Sequence, residues 1–153
     1  MPFDDWSVIG DVYDRLTELA GQLSANTARR RVVVCVGSPL LCNAQEPSAS
    51  APRDFELKWE GAVREAARAN VAFYAFVPGR TGYRGGGLPE ATGGEVLASS
   101  YDVVPAVDHI LRDASNYYLL GYFAPSGASS RGTHPVQVKV RRKGVKVRAR
   151  TQR

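Results

Sequence analysis

The apolar positions of this chain change period several times. From Trp6 they recur at three- and four-residue steps, through Ile9, Tyr13, Leu16, Leu19, Ala20 and Leu23, which predicts an amphipathic helix of about five turns. Asp4 or Asp5 stands where an N-cap acceptor is wanted. After Arg29-Arg30-Arg31, the run Val32 to Val36 is apolar without alternation, the pattern of a short strand buried on both faces of a parallel sheet. Pro39 to Pro52 is rich in Pro, Ser and Ala, carries no period and reads as a surface loop. Trp59 to Asn70 then predicts a second helix, with Trp59, Val63, Ala66 and Ala67 on one face, feeding a second wholly apolar strand at Val71 to Val77.

Strand, helix and strand in that order make a βαβ unit, so a doubly wound α/β architecture is expected. Gly79 to Gly87 forms a loop, and Leu88 to Gly94 turns into a short strand over Glu95 to Ala98. Tyr101 to Ala114 predicts a third helix on the spacing of Val104, Val107, Ile110 and Leu111. The last part changes character, because the strand-like Tyr117 to Phe123 is followed by more strand residues without a helix between. In Pro135 to Arg150, Val136, Val138 and Val140 alternate with Gln137, Lys139 and Arg141, and Val145, Val147 and Ala149 alternate with Lys146, Arg148 and Arg150. That is the pattern of a half-buried antiparallel hairpin turning at Lys143-Gly144.

A length of 153 residues suits one domain with a sizeable core. Hydrophobic residues at 44% and charged residues at 23% match ordinary globular usage and exclude a wholly disordered or fibrous chain. The net charge of +5 is unevenly placed: Lys139 to Arg153 holds eight basic and no acidic residues, leaving twelve basic against fifteen acidic elsewhere. Basicity is therefore a property of the tail. In the expected hairpin Lys139 faces Arg148 and Arg141 faces Lys146, and like charges so placed disfavour each other, which suggests a nearby acidic surface or ligand. The acidic start Met1-Pro2-Phe3-Asp4-Asp5 lacks the basic and apolar regions of a signal peptide. No stretch approaches the roughly 20 apolar residues of a membrane helix.

Candidate chemistry is sparse. Cys35 and Cys42 are too few for a zinc cage and are not spaced as a CxxC pair. Cys35 is expected as a buried small hydrophobe, with a disulfide to Cys42 as the alternative. His109 is expected on a helix surface and His134 before the hairpin. No Ser or Cys motif is placed to complete a triad with either, and no G-x-S-x-G elbow exists. The loop Gly79 to Gly87 follows a strand's carboxyl end, where open α/β sheets bind ligands, and Arg80 and Arg84 offer donors to an anion. It lacks the spacing and Lys of a P-loop and is not a G-x-G-x-x-G fingerprint, so a surface loop is the preferred reading.

The order of motifs resembles the C-terminal part of the von Willebrand factor A-related domains of acidobacterial and related bacterial proteins. The resemblance rests on Arg31 to Val36 as a core strand, on Glu65-Ala66-Ala67-Arg68-Ala69-Asn70-Val71-Ala72-Phe73-Tyr74-Ala75 as helix into strand, and on Ala91-Thr92-Gly93-Gly94. Tyr117-Tyr118-Leu119-Leu120-Gly121-Tyr122 and the closing Val136 to Val140 and Val147 to Arg150 complete it. It implies a truncated von Willebrand A or Rossmann-like three-layer sheet with a C-terminal antiparallel β-hairpin. One partial domain over residues 1–153 is expected, with an α/β part over 1–115 and antiparallel strands with the basic hairpin over 116–153. Such domains hold a divalent cation on an Asp-x-Ser-x-Ser loop with a later Thr and Asp. Here Asp5-Trp6-Ser7-Val8-Ile9 and Asp113-Ala114-Ser115-Asn116-Tyr117 each lack the second Ser, and Gly37-Ser38-Pro39 follows the first strand, so no cofactor is expected. The family's early strands are not recognised in this chain. Their absence would leave Val32 to Val36 at an uncovered edge of the kind that recruits other strands.

The expectation is a non-catalytic protein-binding or scaffold module whose metal-dependent adhesion site is lost. A protein partner would meet it through the Val32 to Val36 edge or the basic hairpin. The candidate binding surface is Ser38, Arg80, Arg84, Lys139, Arg141, Lys146 and Arg148. Alternatives are a basic nucleic-acid-binding protein acting through the hairpin, which the placement of Tyr122 and Phe123 as core residues disfavours, a hydrolase-like enzyme with an unrecognised site, and a gene fragment without function. The family is often exported or envelope-associated, whereas no leader is read here, so the sequence assigns no location.

Overall fold

The structure, a computed structural model, describes residues 6–25, 29–37, 47–79, 87–99, 102–118, 120, 137–145, 147, 149 and 150. Helix α1 (Trp6–Gln22) continues into a 3-10 turn, Leu23–Ala25, and is followed by strand β1 (Arg31–Val36) and helix α2 (Arg53–Arg68). Strand β2 (Val71–Pro78), the short helix α3 (Leu88–Ala91), strand β3 (Val96–Ser99) and helix α4 (Val104–Ser115) complete the described elements.

Helix α2 starts six residues before the apolar spacing from Trp59 predicts, and its first turn shows why. Pro52 at the N-cap holds φ at −59°, and Asp54 and Glu56 lie in the first turn, where carboxylates complement the helix dipole. Phe55, one turn before Trp59, extends the buried row that continues through Ala62, Val63 and Ala66. Asn70 adopts φ 54° and ends the helix in the left-handed conformation that Asn tolerates, so the chain enters β2 at once.

Helices α1 and α2 pack through aromatic rings. The Phe55 ring centroid lies 4.7 Å from Trp6 and 5.1 Å from Tyr13, and Tyr13 lies 5.5 Å from Trp59. Lys58 Nζ meets Asp14 Oδ2 at 2.7 Å, and this hydrogen-bonded carboxylate raises the Lys58 pKa. Gly10 faces the Lys58 side chain and Gly21 faces Glu65, so the two helices lie side by side and run in the same direction.

The sheet has the order β1-β2-β3, with both pairings parallel. Strand β2 is central, and Val71 to Val77 are all buried. Val71 and Phe73, with Val33 of β1, face the cluster built by α1, α2 and α3. Ala72 and Tyr74, with Val32 and Leu97, face Ile110 of α4. Helices therefore cover both faces of a parallel sheet, the α/β class expected from the βαβ pattern.

Three expectations are corrected. Strand β1 is an edge strand rather than one buried on both faces: Val34 is 42% and Val36 62% exposed. An unbroken valine run signals burial only when strands flank it on both sides, and among the described residues β1 has β2 on one side alone. Helix α4 buries Ala106 and Ile110, whereas Val104, Val107 and Leu111 of the expected apolar row face outward. Cys35 is disulfide-bonded rather than a free thiol, and it is only partly buried, on a strand with no neighbour beyond it among the described residues. In the tail, residues 137–145 contain the expected turn at Lys143-Gly144, with Gly144 at φ 77°, and no strand. Most of Tyr117 to Phe123, and Lys146 and Arg148 of the hairpin, lie outside the described residues.

Candidate functional site

Among the described residues, the outer edge of β1 presents main-chain groups away from the sheet. In a strand the N–H and C=O of one residue point to one side and those of the next residue to the other. Arg31 N–H donates to Asn70 C=O at 3.0 Å and Gly37 N–H donates to Phe76 C=O at 3.1 Å. The odd-numbered residues of β1 therefore face β2, and Val32, Val34 and Val36 turn their amide and carbonyl groups out of the sheet. Among the described residues nothing accepts from or donates to them. The edge is apolar and carries no Lys, Pro or bulge, the devices by which edge strands discourage pairing.

The other edges of the same sheet are closed or short. Strand β3 reaches only from Ala75 to Pro78 of β2, which would strand the lower part of β2 without partners. Side chains cap it. Thr92 Oγ1 accepts the Phe73 N–H at 3.0 Å while donating to Leu88 C=O at 2.8 Å, fully buried. Arg150 Nη2 donates to Val71 C=O at 3.2 Å and to Asn70 Oδ1 at 3.1 Å, Nη1 to Ala67 C=O at 3.1 Å, and Nε to Thr92 C=O at 3.3 Å. A cation at the carbonyl end of α2 is favoured by the helix dipole. Burial, and then the neighbouring Arg30 guanidinium, pull the Arg150 pKa below its ordinary value. In β3, four residues long, Val96 and Ala98 turn their main-chain groups away from β2.

The Thr-Gly-Gly motif is part of this closure. Gly93 takes φ 81°, and a Cβ on Gly94 would collide with the Phe73 carbonyl; glycine permits the approach that seats Thr92 under β2.

On the α4 side of the sheet, Val34 and Val36 are exposed, as are Val104, Val107 and Leu111 of α4. The rotation of α4 that turns this row outward comes from two polar contacts. The Tyr74 hydroxyl donates to Asp113 Oδ2, and His109 Nε2 lies 2.8 Å from Glu95 Oε2. His109 is on the helix surface, as expected, and also pairs with Glu95, a pairing that nothing in the local sequence signals.

Of the seven candidate binding residues, Lys139 and Arg141 are exposed and make no ion pair among the described residues. Ser38, Arg80, Arg84, Lys146 and Arg148 lie outside the described residues, as does His134. Among the described residues no three His, Cys, Asp or Glu side chains converge as metal ligands would, and no helix is long and apolar enough to cross a membrane. Comparison with protein-family models, with characterised proteins and with solved structures gives no match.

Proposed function

We propose that this chain is a non-catalytic protein-binding module of the von Willebrand factor A-related kind, and that it takes an extended strand of its partner along β1. The observation that carries this reading is the contrast between edges: Thr92 and Arg150 close the lower edge of β2, whereas Val32, Val34 and Val36 present an open ladder. Strand addition draws affinity from the main chain and specificity from alternate side chains. Here Val34 and Val36 supply an apolar surface on the α4 side. The closing antiparallel strands expected of residues 116–153 belong to the same proposal, as does binding without a divalent cation, for which chelation by EDTA should leave partner capture unchanged.

Amide hydrogen exchange tests the reading directly. At concentrations where the chain is monomeric, the amides of Val32, Val34 and Val36 should exchange at least about a hundredfold faster than those of Val33 and Cys35, because only the latter bond to β2. Equal protection along β1 would mean that the edge is already occupied and would refute strand addition.

The exposed Lys139, Arg141, Arg142 and Lys143 favour a second reading, in which the tail binds nucleic acid. That reading requires affinity for duplex DNA that falls steeply with salt and is lost when these four residues become Gln.

A further inference from the structure

We infer that the strand received by β1 is β1 of a second copy of this chain, paired antiparallel about a two-fold axis at Val34. The inference rests on the open-edge reading above and names its occupant. An isologous contact needs a surface that complements itself. The outward-facing set is Val32, Val34 and Val36, a sequence that reads the same in both directions. With the axis at Val34, its N–H and C=O exchange both bonds with Val34 of the other copy, and Val32 does the same with Val36. Facing residues of an antiparallel pair lie on the same face of the sheet. The valines exposed on the α4 side, Val34 at 42% and Val36 at 62%, are therefore covered by the same three valines of the other copy.

The charges near the edge do not oppose this. Arg31 would stand opposite Gly37, and the Arg31 guanidinium is turned away to donate to Leu23 C=O. No acidic or basic side chain occurs from Val32 to Gly37. The pairing joins the two described sheets into one whose outer edges are the short β3 strands, removing the longest unpaired edge of the described sheet.

The test is the mass of the full chain in solution combined with a charge swap on the axis. Wild type is expected at twice the chain mass of 16.6 kDa. Val34→Lys and Val34→Glu each place like charges face to face and should raise the dimer dissociation constant at least about a hundredfold, giving monomers with unchanged circular dichroism. Mixing the two variants should restore the dimer, since Lys then faces Glu. Val36→Lys, at a more exposed position, should weaken the dimer without this rescue and serves if position 34 proves intolerant. A wild-type chain that stays monomeric throughout, a dimer that survives both substitutions, or variants that fail to recombine while folded would each overturn the inference. A monomer with fast-exchanging Val34 amide would reject the second copy and leave strand addition standing. A monomer with that amide protected would reject both.

Discussion

The Tyr74 hydroxyl, on a side chain fully buried in the central strand, donates to the Asp113 carboxylate on α4. One helical turn earlier on the same face, His109 meets Glu95 at 2.8 Å. Together these contacts choose which side of an amphipathic helix reaches the sheet, overruling the apolar row Val104, Val107, Leu111. A double-mutant cycle of Tyr74→Phe and Asp113→Ala should return a coupling of about 1.5–3 kcal/mol, the range of hydrogen bonds to charged groups, read from urea unfolding. Additive effects would mean that α4 is oriented by other means.

Thr92 should be intolerant of an isosteric apolar residue. Thr92→Val keeps the shape and removes the acceptor of the buried Phe73 N–H, with a cost of about 1–3 kcal/mol. Thr92→Ser keeps the oxygen and should recover most of it. Denaturant midpoints at constant slope separate the two.

Two glycines should respond in opposite directions. A Cβ at Gly94 meets backbone at Phe73, so Gly94→Ala should destabilise by about 3 kcal/mol or more, at or above the upper range for overpacking. A Cβ at Gly61, inside α2, meets nothing within 4 Å, and Gly61→Ala should stabilise by about 0.5–1 kcal/mol. Calorimetric midpoints moving in the same direction for both would contradict the packing described for β2 and β3.

Arg150 bonds to four acceptors, on Ala67 of α2, Asn70, Val71 of β2 and Thr92, a fan that an ammonium group cannot reproduce. Arg150→Lys should therefore lose nearly as much stability as Arg150→Ala, on the order of 2 kcal/mol. Full recovery by Lys would assign the residue a purely electrostatic role.

Burial raises the Tyr13 pKa above the ordinary value of 10.0. A folded-state pKa above the unfolded one means that the stability from the neutral phenol is intact below about pH 10 and declines as pH rises beyond it. Unfolding temperatures should fall as pH rises above about 10 in wild type. They should fall less in Tyr13→Phe, which has no proton to lose.

Much of the fold is legible along the chain because its elements are specified locally. The three- and four-residue apolar steps of α1 place that helix at Trp6–Gln22, and the apolar runs place β1 and β2 to within a residue. The βαβ order implies their parallel pairing. The start of α2 was less visible because a proline cap and an acidic first turn, rather than apolar spacing, set it there.

Sequence by itself determined the order of α1, β1, α2, β2, β3 and α4 and the parallel sheet with helices on its faces, since periodicity and βαβ order are local properties, but not the start of α2 or the short helix α3. Only the tertiary structure decided that Thr92 and Arg150 close β2, and that α4 shows Val104 and Leu111 to solvent. Each of those outcomes depends on contacts between residues 19 to 83 positions apart. Hydrogen bonds of buried polar groups outweigh the pull of a partly exposed apolar row, and no local pattern records them.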